Sequence, residues 1–321
     1  MDVPGPRSER ERSVGFPVPL SAILPKPIHY VMAGGGSHGA VQWGALQALA
    51  LTDIVPDSIL GTSAGALTGS IMAEDLKAGV ARLAYVWGQM NMSYLAGERW
   101  WTRGLSQMRS PGLVNNTVEQ ATIKAILHTE LIEDLDVAFG AVATDLASGQ
   151  PHVFDSGPIV PALLASSAIP GVLPPVEIDG RLYCDGLASA NLPAIQAVQR
   201  GAGSIIVLDT GHARSTDVGT SSAKVLNRVR GIMAMSQRRR QLRDAAARVP
   251  VVLLPTPDDL GGTLDFGDTM HAGSTTYQKA RAFLVDLFLQ GHDALGAGFY
   301  ARPDDPGLSH DLLPLLQEVP E

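Results

Sequence analysis

The sequence GTSAG at residues 61–65 matches the pattern G-x-S-x-G. At a junction between a strand and a helix, this pattern makes a sharp turn that exposes a nucleophilic serine. Only small residues fit two positions before and two positions after the serine, because larger side chains would collide with the strand and the helix. The flanking sequences DSIL and ALTGSIM supply that strand and helix. Ser63 is therefore a candidate nucleophile, and the alternative is a serine that only caps the helix.

A second pattern, G-x-G-x-x-G, is formed by Gly34, Gly36 and Gly39 between an apolar run and a helical stretch. Such a loop brings backbone N–H groups close to a negative charge, either the pyrophosphate of a dinucleotide or an oxyanion that forms during a reaction. A plain tight turn is the third interpretation. Dinucleotide binding requires an acidic residue at the end of the second strand. Asp53 and Asp57 precede that strand, which ends at a serine, so the sequence favours the oxyanion.

A nucleophilic serine needs a base, and the sequence offers two kinds. Six histidines follow Ser63 without a distinguishing pattern, and His212, after the run SIIVLDT, is the best candidate for a Ser-His-Asp arrangement. Asp185 ends the run RLYCD and is followed at once by Gly186. A carboxylate at the end of a strand projects into the crevice above the sheet, where it can take the serine proton directly. The alternative for this Asp-Gly pair is a simple turn.

Composition and charge restrict the class of protein. The formal net charge of −8 argues against a nucleic-acid partner. One cysteine, Cys184, allows no intrachain disulfide and no cysteine zinc cage, and it predicts a small buried side chain. The N-terminal sequence has no apolar signal segment, and no run of 18 apolar residues predicts a membrane span, so we expect a cytoplasmic protein. The cluster Arg238–Arg240 predicts a solvated helix face, with contact to lipid phosphate as the alternative.

Short apolar runs alternate with helical stretches along the chain, which predicts an α/β fold. The spacing favours a three-layer sandwich with a largely parallel central sheet. The apolar run at residues 204–210 predicts a strand that is buried on both faces. Further strands are predicted at 28–32, 58–62, 136–145, 152–154, 251–255 and, as a pair that turns at Asp179-Gly180, at 177–185. Helices are predicted at 158–168, 221–248 and 271–290.

Residues 87–116 are rich in aromatic residues and methionine and have weak periodicity, which predicts an insertion or lid over one end of the sheet. Its neighbouring residues Trp100 and Trp101 cannot both face inward on a regular element. They predict either packing in the core or contact with a lipid surface. The predicted domain organisation is a flexible arm at 1–24, a catalytic domain at 25–295 and a C-terminal tail at 296–321.

Five sequence blocks in one order resemble the patatin-like phospholipase family. They are GGGSHGAVQWGALQAL, GTSAGAL, VATDLASGQPHVF, SSAIPGVLPPV and DGLASANLP. The resemblance runs from Tyr30 to Asn191, and the later helices and strand VVLLP are compatible with it. It implies a serine lipid acyl hydrolase that acts on phospholipids or other lipid esters, without a metal, a cofactor or a catalytic histidine. Peripheral contact with a membrane is a further expectation.

The resemblance also implies a role for individual residues. Ser63 is the expected nucleophile and Asp185 the expected general base. The N–H groups of Gly34, Gly35 and Gly36 are the expected oxyanion hole. Four further glycines are expected to support these groups by allowing close packing: Gly39, Gly61, Gly65 and Gly186.

The sequence departs from the family pattern at two positions. His38 stands where the family usually has Arg or Lys, and Leu187 stands where the family usually has Gly or Ala after Asp-Gly. A shifted turn at Leu187 would move the Asp185 carboxylate. Three alternatives therefore stay open: a Ser-His-Asp esterase, a nucleotide-binding protein that uses the Gly34–Gly39 loop, and an inactive lipid-binding member of the family.

Overall fold

The structure is a computed structural model, and it describes residues 20–89, 117–211, 222–257, 267–290 and 294–303, with the single positions 260, 312, 314 and 316. Within this part of the chain, short strands alternate with helices as the sequence predicts. Most of the predicted insertion, including Trp100 and Trp101, lies outside the described residues, and so does His212.

One sheet holds the nine strands of the described chain: β1 (Ile28–Met32), β2 (Ser58–Thr62), β3 (Ala138–Asp145), β4 (Pro151–Phe154), β5 (Val176–Ile178), β6 (Arg181–Asp185), β7 (Ser204–Leu208), β8 (Pro250–Leu253) and β9 (Gly298–Tyr300). Six strands run parallel in the spatial order β3-β2-β1-β7-β8-β9. β4 and β6 both pair antiparallel with β3, and β5 pairs antiparallel with β6. The sheet is therefore parallel at its centre and antiparallel at one side.

Helices cover both faces of this sheet. Successive residues of β7 alternate between two apolar clusters, because side chains along a strand point to opposite faces: Ile206 contributes to one cluster and Val207 to the other. The first cluster includes α1 (Gly39–Leu49), α2 (Ala64–Glu74), α3 (Leu76–Gln89), α4 (Thr117–Ile126), α5 (Ile159–Ser167) and α8 (Thr269–Leu289). The second includes α6 (Ala194–Gln199) and α7 (Ser222–Ala246). The predicted three-layer sandwich is confirmed.

Buried residues lie on both sides of the predicted domain boundaries. β9 lies within the predicted tail, yet all three of its residues are buried and it forms the edge of the sheet beside β8. Leu20 and Ile23 lie within the predicted arm and are buried against the first cluster. Trp87, the first residue of the predicted insertion, is buried near the end of α3. These segments are too short to show a periodicity, so their burial was not visible in the sequence.

The buried edge strand gives a test of the domain boundary. Phe299 on β9 is fully buried, and we expect Phe299→Ala to lower the free energy of unfolding by about 3–5 kcal/mol because it leaves a cavity under α7. Urea denaturation measures the change. Leu289→Ala is the control, since Leu289 is 72% exposed, and it should change the free energy by less than about 0.5 kcal/mol. Equal effects of the two substitutions would contradict the placement of β9.

Candidate active site

The carboxyl ends of β2 and β6 meet on one flank of β3. Thr62, the last residue of β2, pairs with Val142 of β3, and Asp185, the last residue of β6, pairs with the next residue, Ala143. β4 pairs with β3 at both of these positions and therefore occupies the opposite flank. The two strands consequently approach each other end to end. This register brings Ser63, which follows Thr62, to the same edge of the sheet as Asp185.

The turn at Ser63 has the strained backbone that the G-x-S-x-G pattern predicts. Ser63 has a φ of 55° and a ψ of −123°, which a residue other than glycine rarely adopts. A Cβ atom at Gly61 would lie 2.3 Å from the carbonyl oxygen of Gly65, and a Cβ at Gly65 would lie 2.4 Å from that of Met32. Both glycines are thus required for the turn. Ser63 is 7% exposed and stands at the start of α2.

A second serine, which no sequence motif marks, holds this turn in place. The Ser63 N–H donates to Oγ of Ser166 at 2.9 Å, and the Ser166 hydroxyl donates to the carbonyl oxygen of Val142 at 2.7 Å. Ser166 is fully buried in α5. The Ser63 turn is therefore tied to β3 through the last turn of α5, and the Ser63 N–H is not free to bind an oxyanion.

The glycine loop lies against the Ser63 turn. A Cβ atom at Gly34 would lie 3.2 Å from Cβ of Ser63. The Gly34 N–H, however, donates to the carbonyl oxygen of Asn191 at 3.0 Å, and the side chain of Asn191 donates back to the Gly34 carbonyl at 3.1 Å. This pairing corrects the expectation that Gly34 supplies an oxyanion donor, because its hydrogen is already used. Asn191 is a further residue that the sequence analysis did not assign to the site.

Two N–H groups of the loop remain as candidate donors. Within the part of the chain that the structure describes, the N–H groups of Gly35 and Gly36 have no protein acceptor. Gly36 has a φ of 58° and starts a short 3-10 helix that leads into α1. A Cβ at Gly35 would lie 2.4 Å from Oγ1 of Thr210, so only glycine fits there. A Cβ at Gly39 would lie 2.2 Å from the ring of Trp87, so glycine is required there as well.

A buried ion pair supports the glycine loop through Thr210. Oδ2 of Asp209 accepts from Nε of Arg238 at 2.6 Å, and Oδ1 of Asp209 accepts from the N–H of Thr210 at 2.9 Å. The Thr210 hydroxyl then donates to the Gly34 carbonyl at 3.0 Å. Arg238 is 2% exposed, which corrects the prediction that this part of the arginine cluster is a solvated face. Helical spacing explains the difference, since Leu242, four residues on, lies on the same buried face of α7.

The Asp185 carboxylate is held by its own turn. Asp185 is 1% exposed, and its Oδ1 accepts from the N–H of Leu187 at 2.7 Å. Its backbone carbonyl accepts from the hydroxyl of Thr144 at 3.0 Å. A Cβ at Gly186 would lie 2.6 Å from the Val142 carbonyl, so glycine is required after Asp185. The backbone, and not the side chain, of Leu187 makes the contact, so this departure from the family pattern preserves the hydrogen bond.

The contribution of the Asp209–Arg238 pair to stability can be measured directly. We expect Arg238→Met to lower the free energy of unfolding by about 3–5 kcal/mol, because Asp209 would keep a buried charge without its guanidinium partner. Chemical denaturation measures the change. Arg240→Met on the exposed face of the same helix is the control and should change it by less than about 0.5 kcal/mol. A small effect of Arg238→Met would show that the pair does not support the loop.

Comparison with known proteins identifies the family of the chain. The family model described as "Patatin-like phospholipase" matches residues 30–198. "Patatin-like phospholipase domain-containing protein 7" of Mus musculus is 32% identical over 194 residues, and "Patatin-like phospholipase domain-containing protein 6" of Homo sapiens is 30% identical over 196 residues. Each match covers 60% of this chain but 14% of the relative. The crystal structure of VipD from Legionella pneumophila is similar with a TM-score of 0.47 and 14% identity, over 88% of this chain and 73% of that one. The chain belongs to the patatin-like phospholipase family.

Proposed function

We propose that this chain hydrolyses acyl esters of lipids, with Ser63 as nucleophile and Asp185 as general base. The observation that carries the proposal is the register of β3, in which Thr62 and Asp185 pair with consecutive residues. A strained serine turn and a buried carboxylate at one point of the sheet are typical of nucleophilic catalysis. The name of the family supports lipids as the substrate class.

The proposed reaction begins when the Asp185 carboxylate accepts the proton of the Ser63 hydroxyl. The Ser63 oxygen attacks the ester carbonyl, and the N–H groups of Gly35 and Gly36 stabilise the negative oxygen of the tetrahedral intermediate. The C–O bond to the leaving alcohol breaks, the alcohol takes the proton from Asp185, and an acyl-enzyme remains. A water molecule then gives a proton to Asp185 and attacks the acyl group. The bond between the acyl carbon and the Ser63 oxygen breaks, Asp185 returns the proton to that oxygen, and the fatty acid leaves.

The single cysteine does not compete with Ser63 as nucleophile. Burial and the neighbouring Asp185 charge raise the pKa of the Cys184 thiol to about 11. The thiol therefore stays protonated at neutral pH, and a protonated thiol is a poor nucleophile. Cys184 is 3% exposed, as the sequence predicts for a small buried side chain.

The proposed chemistry is tested by fatty-acid release from phospholipid vesicles. We expect Ser63→Ala and Asp185→Asn each to lower the rate by at least about 10³-fold, because each removes one partner of a two-residue unit. His212→Ala should keep the wild-type rate, since the proposed mechanism does not use a histidine. Loss of activity in His212→Ala with retention in Asp185→Asn would instead support a Ser-His-Asp esterase. Wild-type activity in Ser63→Ala would refute the proposal.

We also propose that the first half of α7 contacts the lipid surface. None of the helices that the structure describes is long and apolar enough to cross a membrane. Four apolar side chains in this half of α7 are 42–54% exposed: Val225, Val229, Ile232 and Met233. Their intervals of four, three and one residue place them on one face of the helix. The helix contains seven basic residues and one acidic residue. Exposed apolar side chains on a basic helix favour an anionic lipid surface.

Binding to vesicles tests this lipid contact. We expect Ile232→Glu to weaken sedimentation with vesicles of anionic phospholipid by about tenfold, because it places a charge in the apolar stripe. Ser236→Glu, one turn further along the same exposed face, is the matched control for added charge and should have a smaller effect. Equal binding of wild type and Ile232→Glu would refute this contact without affecting the proposed roles of Ser63 and Asp185.

A further inference from the structure

A buried carboxyl group that the proposed reaction does not use lies close to the active site. Glu119 on α4 is 3% exposed, and it lines a narrow cavity of about 20 Å³ between α2, α3 and α4, which has room for about one water molecule. The other lining side chains are mainly apolar and include Leu67, Ile71, Leu83, Trp87 and Ile123. In the described part of the chain, Oε2 of Glu119 has no hydrogen-bond partner.

The buried surroundings of Glu119 favour the neutral form of this acid. The Ser167 hydroxyl lies 2.7 Å from the carbonyl oxygen of Leu163 and also within hydrogen-bond distance of Oε1 of Glu119. The Ser167 hydroxyl has one hydrogen, so Glu119 and Leu163 compete for it. The second carboxyl oxygen of Glu119, Oε2, has no partner in the described chain and faces mainly apolar side chains, and a charge in such surroundings is costly. Burial raises the pKa of Glu119 to about 7 against the lowering effect of the Ser167 contact, and the charge of Asp185 adds to the rise.

Glu119 is connected to the Ser63 turn through neighbouring serines. Ser167 binds Glu119, and Ser166, the preceding residue, accepts from the N–H of Ser63. Both serines lie in the last turn of α5. We propose that Glu119 is a positioning residue, which as a neutral acid holds this turn in place and on ionisation disrupts the site. The inference rests on the proposed roles of Ser63 and Asp185.

Ionisation of Glu119 changes the hydrogen bonding of the last turn of α5. The carboxylate attracts the single hydrogen of Ser167, so the Ser167 side chain no longer donates to the Leu163 carbonyl. The weakened turn holds Ser166, and through it the Ser63 N–H, less firmly, so the activity falls as the pH rises.

Few other charged groups act on Glu119 in the described chain. α5 contains no ionisable side chain. On α2 and α3, Glu74 and Arg82 pair with each other at 2.6 Å. The remaining ionisable groups of α3 and α4 do not shift the pKa of Glu119; they are Lys77, Tyr85 and Lys124. Among the described groups, the negative charge of Asp185 is the one that raises this pKa by repulsion.

The pH dependence of labelling by a fluorophosphonate, which reacts with activated serines, tests the positioning role. The wild-type rate should fall about tenfold between pH 6 and pH 8, as one group with a pKa of about 7 ionises. Glu119→Gln should show no such fall, because the amide can donate to Ser167 and cannot ionise. Glu177→Gln, at an exposed position on β5, is the control and should behave like the wild type. The same fall in Glu119→Gln as in wild type, or no fall in wild type, would overturn the proposal.

A second variant, Ser167→Ala, and a measurement of stability test the same proposal without relying on the activity of Glu119→Gln. Ser167→Ala should abolish the fall in labelling, because it removes the hydroxyl through which Glu119 acts on the last turn of α5. The pKa of Glu119 is higher in the folded than in the unfolded protein, so wild-type stability is lost as the pH rises from about 4.5 to about 7. The urea midpoint of Glu119→Gln should therefore exceed that of wild type at pH 8 but not at pH 4. An equal difference at both values would refute a neutral Glu119, even if Ser63 has no catalytic role.

Discussion

The site depends on one feature of strand pairing, the shared flank of β3. β2 pairs with the first part of β3 and ends at Thr62, and β6 continues along the same flank from Ala143. A parallel strand and an antiparallel strand therefore meet with their carboxyl ends together. A shift of either register by one residue would reverse the direction of every side chain on that strand. The pairing of β3 thus fixes the Ser63 turn and the Asp185 carboxylate relative to each other.

Three supports hold the parts that this pairing brings together. Ser166 ties the Ser63 turn to β3, Asn191 fixes the glycine loop, and the Asp209–Arg238 pair supports that loop through Thr210. Each support satisfies a buried polar group that would otherwise be costly. Among the described residues, the network leaves the N–H groups of Gly35 and Gly36 without a protein acceptor. A strained turn can persist there because the surrounding hydrogen bonds determine its position.

The sequence predicts the fold class and the positions of Ser63 and Asp185 at strand ends, because these leave local patterns. Alternating apolar runs showed the layers, and G-x-S-x-G and Asp-Gly marked two strand ends. The supports were not visible, since they join distant positions: Ser63 and Ser166 are 103 residues apart, and Gly34 and Thr210 are 176 apart. A glycine pattern does not show which N–H groups are already paired, so it wrongly predicts a donor at Gly34. A run of arginines hides the helical position of each one, so it wrongly predicts a solvated Arg238.

The central claim is that Ser63 is the nucleophile and that Asp185 activates it. Peptide mapping by mass spectrometry after reaction with a fluorophosphonate tests this claim most directly. We expect one modified peptide in the wild-type protein, with the adduct on Ser63, and no adduct in Asp185→Asn. Equal urea midpoints of unfolding for the variant and the wild type would show that Asp185→Asn is folded. An adduct on a different residue, or unchanged modification of Ser63 in Asp185→Asn, would contradict the account.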